Sequence, residues 1–149
     1  MERKTNAAAK LFDAFNQFSK LSKMNSPVKG LKTSEIYTLF CIKKLTGEKG
    51  EGVKVSQISN MLDVTPPTVT QLINGLEKKD CIERQINIQD RRAVQIRITD
   101  KGQTAVDAAS NAFYNYFQGL VEFLGEEKSN QLSDLLVLVL EYSKKYKPE

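Results

Sequence analysis

Apolar residues recur along this chain at two spacings, and the change from one to the other separates helices from a hairpin. Val69, Leu72, Ile73 and Leu76 stand at i, i+3, i+4 and i+7, which predicts a helix over 66–79 with those side chains on one face. At about 100° per residue, Pro67, Gln71, Asn74 and Lys78 then point the opposite way. After Lys79 the period becomes two. Ile82, Arg84 and Ile86 alternate with Glu83 and Gln85, and Val94, Ile96 and Ile98 alternate with Gln95 and Arg97, so each run predicts a strand half-buried on one face. The intervening 87–93 is a polar loop with Arg91 and Arg92 adjacent at its tip.

Upstream, Ser56 is placed to cap a short helix carrying Ile58, Met61 and Leu62. Asp63, Val64 and Thr65 then make a tight turn, with Thr65 placed to cap the helix that follows. Pro66 and Pro67 fit a first helical turn, where a missing N–H costs nothing. A short helix, a three-residue turn and a second capped helix form a helix-turn-helix; with the basic hairpin behind it, 55–99 reads as a winged helix-turn-helix. The outward face of the second helix is polar yet carries one charge, which suits reading base edges. For such a helix standing alone, an ordinary solvated face is the plainer account. The wing arginines suit a minor groove, whose negative potential attracts guanidinium groups.

The remaining segments read as helices with wide apolar stripes. Residues 5–23 place Ala8, Leu11, Phe12, Phe15, Phe18 and Leu21 at helical spacing, to be covered by the same subunit or by a partner. Residues 25–30 break that helix, and Thr33 is placed to cap the next, which carries Ile36, Leu39, Phe40 and Leu45. The glycine-rich 46–52 lacks the Lys-Ser/Thr ending of a phosphate-binding loop and reads as a connector. Val53 to Val55 offers a short third strand beside the wing. Thr99 is placed to cap a helix of about 25 residues, on the order of 37 Å long, that runs to Gly125. A last helix begins at Glu126 and Glu127. The first helix, the far end of the long helix and the last helix carry more apolar face than a winged domain can cover, which points to a symmetric dimer with interleaved termini.

The order of these elements, the segment TVTQLINGLEKKDCIER and above all DRRAVQIRITDKG over 90–102 resemble the MarR family of bacterial winged-helix regulators. The resemblance covers nearly the whole chain. It implies that Asp90 braces Arg92, which enters the minor groove; that the terminal helices dimerise; that a small aromatic or phenolic effector binds near the first, second and long helices; and that the common mode is repression. Members usually carry a glycine and an aliphatic residue after the recognition helix, where this chain has Asp80 and Cys81. Aspartate tolerates a left-handed cap better than most residues.

Composition narrows the classes. The chain has 149 residues, 40% of them hydrophobic, a size that ordinarily makes one domain with a real core. Its longest apolar run, 135–140, is far below the roughly 20 residues a bilayer requires, and no signal-peptide core follows the first residues; a cytoplasmic protein with no membrane partner is expected. The formal charge of +4 divides as +5 over 1–52, +2 over 53–99 and −3 over 100–149, as expected if one side faces phosphate. Histidine is absent and there are two cysteines, Cys41 and Cys81, so one subunit has too few ligands for a Cys/His zinc site and lacks the commonest general base. No constellation supports an enzyme, and neither a cofactor nor a metal is expected. Cys41 reads as a small buried hydrophobe, or alternatively as an oxidant-sensing thiol.

The expectation is therefore a mainly α protein with a small β-wing, a winged helix-turn-helix joined to interleaved terminal dimerisation helices. Within a single domain spanning 1–149, residues 53–99 form the DNA-binding lobe, and 1–25 with 100–146 the dimerisation lobe. Its function is sequence-specific regulation of transcription by a homodimer on a pseudo-palindromic double-stranded operator. Thr65, Pro67, Thr68, Thr70, Gln71, Asn74 and Lys78 are the contact residues of the helix; Gln71 and Asn74 carry the amide that suits adenine. Arg84, Asp90, Arg91 and Arg92 are those of the wing, with Arg84 and its neighbours open to a second role as surface ion pairs to Glu83 or Asp90. Leu11, Phe12, Leu132, Leu135, Leu136, Val139 and Leu140 are the dimer residues. A thiol-based redox regulator and a winged-helix protein-interaction module are the alternatives.

Overall fold

A computed structural model describes residues 6–21, 26–48, 50–86, 88, 90 and 94–146. Six helices and one hairpin follow in the order α1 (Asn6–Leu21), α2 (Thr33–Thr46), α3 (Val55–Leu62), α4 (Pro66–Lys78), β1 (Ile82–Ile86), β2 (Val94–Ile98), α5 (Asp100–Leu124) and α6 (Glu126–Lys145). The chain is thus mainly helical with a small wing, and the period change after Lys79 marks where helix gives way to strand.

The core lies around α2, whose Ile36, Leu39 and Ile42 are fully buried against Ile58 of α3, Val69, Ile73 and Leu76 of α4, Ile96 of β2 and Val106 of α5. β1 and β2 pair antiparallel with Ile82 opposite Ile98 and Ile86 opposite Val94. The hairpin is anchored towards its base: Ile82 and Ile96 are buried, whereas Ile86 and Val94 are exposed, so the expected half-burial fails at the Ile86–Val94 pair. The hairpin projects past the core, and its outer alternation has nothing to pack on. Instead of a third strand over 53–55, Val53 alone bridges Ile96, because Lys54 already caps α3 and Val55 is helical.

Helix starts are displaced by one or two residues from the hydroxyls expected to cap them. Lys32, not Thr33, is the N-cap of α2, and the Glu35 carboxylate accepts its backbone N–H at 2.7 Å. Lys54, not Ser56, is the N-cap of α3, its N–H donating to Gln57 Oε1 at 2.9 Å. In both cases a long acceptor at N3 reaches back to the first residue and does what a short hydroxyl would otherwise do. Met61, expected on the apolar stripe of α3, is exposed; Ile58 is at zero exposure, and Val55 and Leu62 pack half-buried against the core.

α5 begins as expected: Thr99 is its N-cap, and its hydroxyl oxygen accepts Gly102 N–H at 3.1 Å. The first half packs on α2, where Phe113 stacks on Tyr37 at 6.3 Å and tilts against Phe40 at 6.0 Å. Beyond Phe113 the helix leaves the core, with Tyr116, Phe117, Val121 and Phe123 exposed. α6 turns back at Gly125 and buries none of its residues. Residues 6–20 of α1 are exposed throughout, so no other described residue covers its apolar stripe. Among the described residues no helix is long and apolar enough to cross a membrane.

Candidate nucleic-acid interface

The turn between α3 and α4 sets how far α4 stands out. Asp63 takes the left-handed conformation (φ 52°, ψ 46°), and the buried Ser59 hydroxyl donates to Val64 O at 2.6 Å, closing the turn. Thr65 is the N-cap of α4 as predicted, but its hydroxyl shares a hydrogen bond with the Thr68 hydroxyl at 2.9 Å and caps no backbone N–H. The Thr70 hydroxyl donates to Pro66 O within the helix. With Val69, Ile73 and Leu76 buried, Pro67, Thr68, Gln71, Asn74 and Lys78 are exposed together along the outward face. The period-3.6 reading therefore places the predicted contact residues of the helix on one accessible surface.

Two buried devices hold that surface. Lys79, just after α4, donates to both oxygens of Glu35 at 2.6 and 2.8 Å, and the Glu35 side chain is only 5% exposed. The carboxylate lies against the middle of α4: a Cβ at Gly75 would sit 2.8 Å from Glu35 Oε1. An interior helical glycine costs about 1 kcal/mol relative to alanine, and this close approach is its reason. Behind α4, Asp80 adopts φ 57°, so the aspartate accepts the left-handed turn. Cys81 O then accepts Thr99 N–H at 3.1 Å, and a Cβ at Gly102 would lie 1.9 Å from that oxygen. The start of the long helix is thereby keyed to the end of α4.

On the wing, Arg84 finds partners on α4 and not on its own hairpin. Its Nη1 lies 2.9 Å from Glu77 Oε2 and its Nη2 donates to Asn74 Oδ1, so pairing with Glu83 or Asp90 is replaced by a bridge from strand to helix. Strand alternation explains the change: Arg84 shares the face of Ile82, which turns towards α4. Asp90 is exposed, and Arg91 and Arg92 lie outside the described residues.

Sequence reasoning missed Glu35, Gly75, Glu77, Lys79 and Gly102. The glycine inside a strong helical pattern was the available signal, whereas the Glu35–Lys79 pair joins positions far apart in sequence and leaves no periodic trace. Both thiols are buried; burial pushes Cys41 up, opposed by Lys44, and pushes Cys81 up, opposed chiefly by Lys101. A thiol held neutral is a poor nucleophile, and this chemistry offers little to an oxidant.

The sequence model of the MarR family matches residues 31–94. The chain is similar to the transcriptional repressor MdtR of Bacillus subtilis, 27% identical over 71% of this chain and 65% of MdtR, so it spans a little under two thirds of that relative. It is similar over almost its full length to Staphylococcus aureus MepR in complex with DNA, at 26% identity and a TM-score of 0.66, covering 94% of this chain and 99% of that one. MepR has also been solved bound to ethidium bromide, where the TM-score is 0.57 at 25% identity over 93% of this chain and 96% of that one. Streptococcus pneumoniae FabT in complex with DNA matches at 26% identity and a TM-score of 0.66, over 92% of each chain.

Proposed function

Since the chain belongs to the MarR family of winged helix-turn-helix transcriptional regulators, we propose that it is a homodimeric repressor that binds a pseudo-palindromic operator through α4 and the wing. The observation that carries this reading is the single exposed polar face of α4, Pro67 to Lys78, standing clear of a core that buries Val69, Ile73 and Leu76 on the opposite face and half-buries Leu72. An α-helix presented in this way fits a major groove. The complexes of MepR and FabT with DNA support the same use of the fold. In this reading 53–99 is the DNA-reading lobe, and Arg91 and Arg92 supply affinity from the wing.

Dimerisation follows from what the chain leaves uncovered. Leu11 and Phe12 on α1 and Leu132, Leu135, Leu136 and Leu140 on α6 are all exposed, with Val139 half-buried among them. A two-fold partner covering these faces sets two copies of α4 about 34 Å apart, one turn of duplex. Cytoplasmic residence goes with this role.

Release by a small aromatic effector completes the proposal. The ethidium complex of MepR supports an aromatic ligand class, and α5 links the terminal helices to the turn behind α4. A ligand shifts that linkage only if it binds the two arrangements with different affinity. Redox control by Cys41 or Cys81 draws no support from thiols that burial keeps neutral. A Cys41→Ser variant is expected to leave the regulator's response unchanged.

The test is fluorescence anisotropy of the protein against its own promoter duplex and a scrambled duplex at two salt concentrations, with wild type and Arg92→Ala. Tight binding to the promoter alone, falling with salt and weakened by the substitution, is expected. Equal weak binding to both duplexes overturns the specific-operator reading, and no binding at low salt turns the argument towards a protein partner.

A further inference from the structure

We propose that Arg84 decides what Asn74 reads: by holding the amide oxygen, it tips the balance at Asn74 towards hydrogen-bond donors, which match guanine. The assignment rests on the DNA-binding role above and refines it to one base.

Asn74 and Glu77 stand three residues apart on α4, neighbours along one face of the helix. Arg84 reaches both from β1, Nη2 donating to Asn74 Oδ1 and Nη1 lying 2.9 Å from Glu77 Oε2. A planar guanidinium presents its donors in a fixed fork, so two acceptors at this spacing orient it. An asparagine that reads adenine needs both ends of its amide, the oxygen accepting from the adenine N6 amino group and the nitrogen donating to N7. Here one of the two lone pairs of that oxygen already accepts from a cation, and the guanidinium crowds the other. The Asn74 Nδ2 amino group keeps its full donor capacity, with the unused N–H groups of Arg84 beside it.

A surface on which donors predominate fits an acceptors-only edge. In the major groove guanine presents N7 and O6, two acceptors, whereas adenine presents one acceptor and one amino donor. Adenine would set its amino group against donors already crowded by a positive charge. The amide suits adenine on its own, as the sequence predicts; the strand beside it reverses the preference. Arg84 and Glu77 have side chains 37% and 40% exposed, so their ion pair contributes little to stability and its removal leaves the fold intact. That makes Arg84→Met an informative variant and Arg84 a positioning residue for Asn74.

The experiment selects duplexes from a library with a randomised core, using wild type, Arg84→Met and Asn74→Ala, and then measures affinity for each base pair along the enriched site. Thermal melting verifies that each variant is folded. Wild type is expected to prefer G·C over A·T about tenfold at one position in each half-site. At that position Arg84→Met accepts A·T at least as well as G·C, and Asn74→Ala becomes indifferent. An operator preference identical in wild type and Arg84→Met overturns the assignment alone. So does an Asn74→Ala variant that binds every sequence equally more weakly, since Asn74 is then a phosphate contact. No enriched sequence with folded wild type overturns both the assignment and the DNA-binding reading beneath it.

Discussion

Gly102 shows how a single absent methyl group decides the join between α4 and the long helix α5. A Cβ there would overlap the Cys81 carbonyl oxygen, a backbone atom that also accepts Thr99 N–H and cannot swing aside. Gly102→Ala is expected to lose about 3 kcal/mol or more in urea unfolding, at the upper end of overpacking costs. Glu35 and Lys79 make a different kind of constraint. Lys79→Met leaves a buried carboxylate with only the Lys32 N–H, and the expected loss is about 2 kcal/mol, below that of a fully buried pair because the lysine end meets solvent. The thiols provide a pH test. Burial holds both native thiols above the ordinary value of 9.0, so the unfolded chain loses its thiol protons first. Their contribution to stability is fully present below pH 9.0 and is lost as pH rises through the native values. Between about pH 8 and about pH 10 the urea midpoint of wild type should fall more steeply than that of a Cys41→Ala, Cys81→Ala variant. None of these residue-scale effects was legible from periodicity, because each depends on a neighbour from another element.

Elements were legible to within a residue or two, and the displacements follow one rule. Where the sequence offered a hydroxyl near a helix start, as at Thr33 and Ser56, a longer side chain at N3 took the N-cap N–H and moved the cap back, by one residue from Thr33 and by two from Ser56. Thr99 and Thr65 both stand at N-caps, yet only Thr99 uses its oxygen on a backbone N–H, while its hydroxyl donates to Asp80 O. Thr99→Ala is therefore expected to cost about 1–2 kcal/mol in thermal or urea unfolding, and Thr65→Ala measurably less. The wing is the element whose alternation misled. Its two strands form where the alternation predicts them, but the outer pair, Ile86 and Val94, stays exposed, because a projecting hairpin has no second layer to face.

At the scale of the whole molecule the decisive feature is the apolar surface that α1, the second half of α5 and α6 leave exposed among the described residues. Sedimentation equilibrium is expected to give a dimer for wild type. A Leu135→Glu, Leu136→Glu variant is expected to sediment as a monomer, with a melting temperature lower and less dependent on protein concentration than wild type. The variant should lose operator affinity as well, since one copy of α4 spans only half of a two-fold site. A dimer that persists in the variant would place the interface elsewhere.

The sequence by itself determined where helix gives way to strand, which face of α4 is buried, that Asp80 can hold a left-handed turn and that the terminal helices carry surplus apolar surface. Those are matters of period and of local backbone preference, and both act over a few neighbouring residues. Only the tertiary structure decided that Arg84 serves α4 and not its own hairpin, that Glu35 reaches Lys79 across the core, and that Gly75 and Gly102 are required by what lies against them. Hydrogen bonds and steric contacts are made between atoms a few ångströms apart, and distance along the chain does not report which atoms those are.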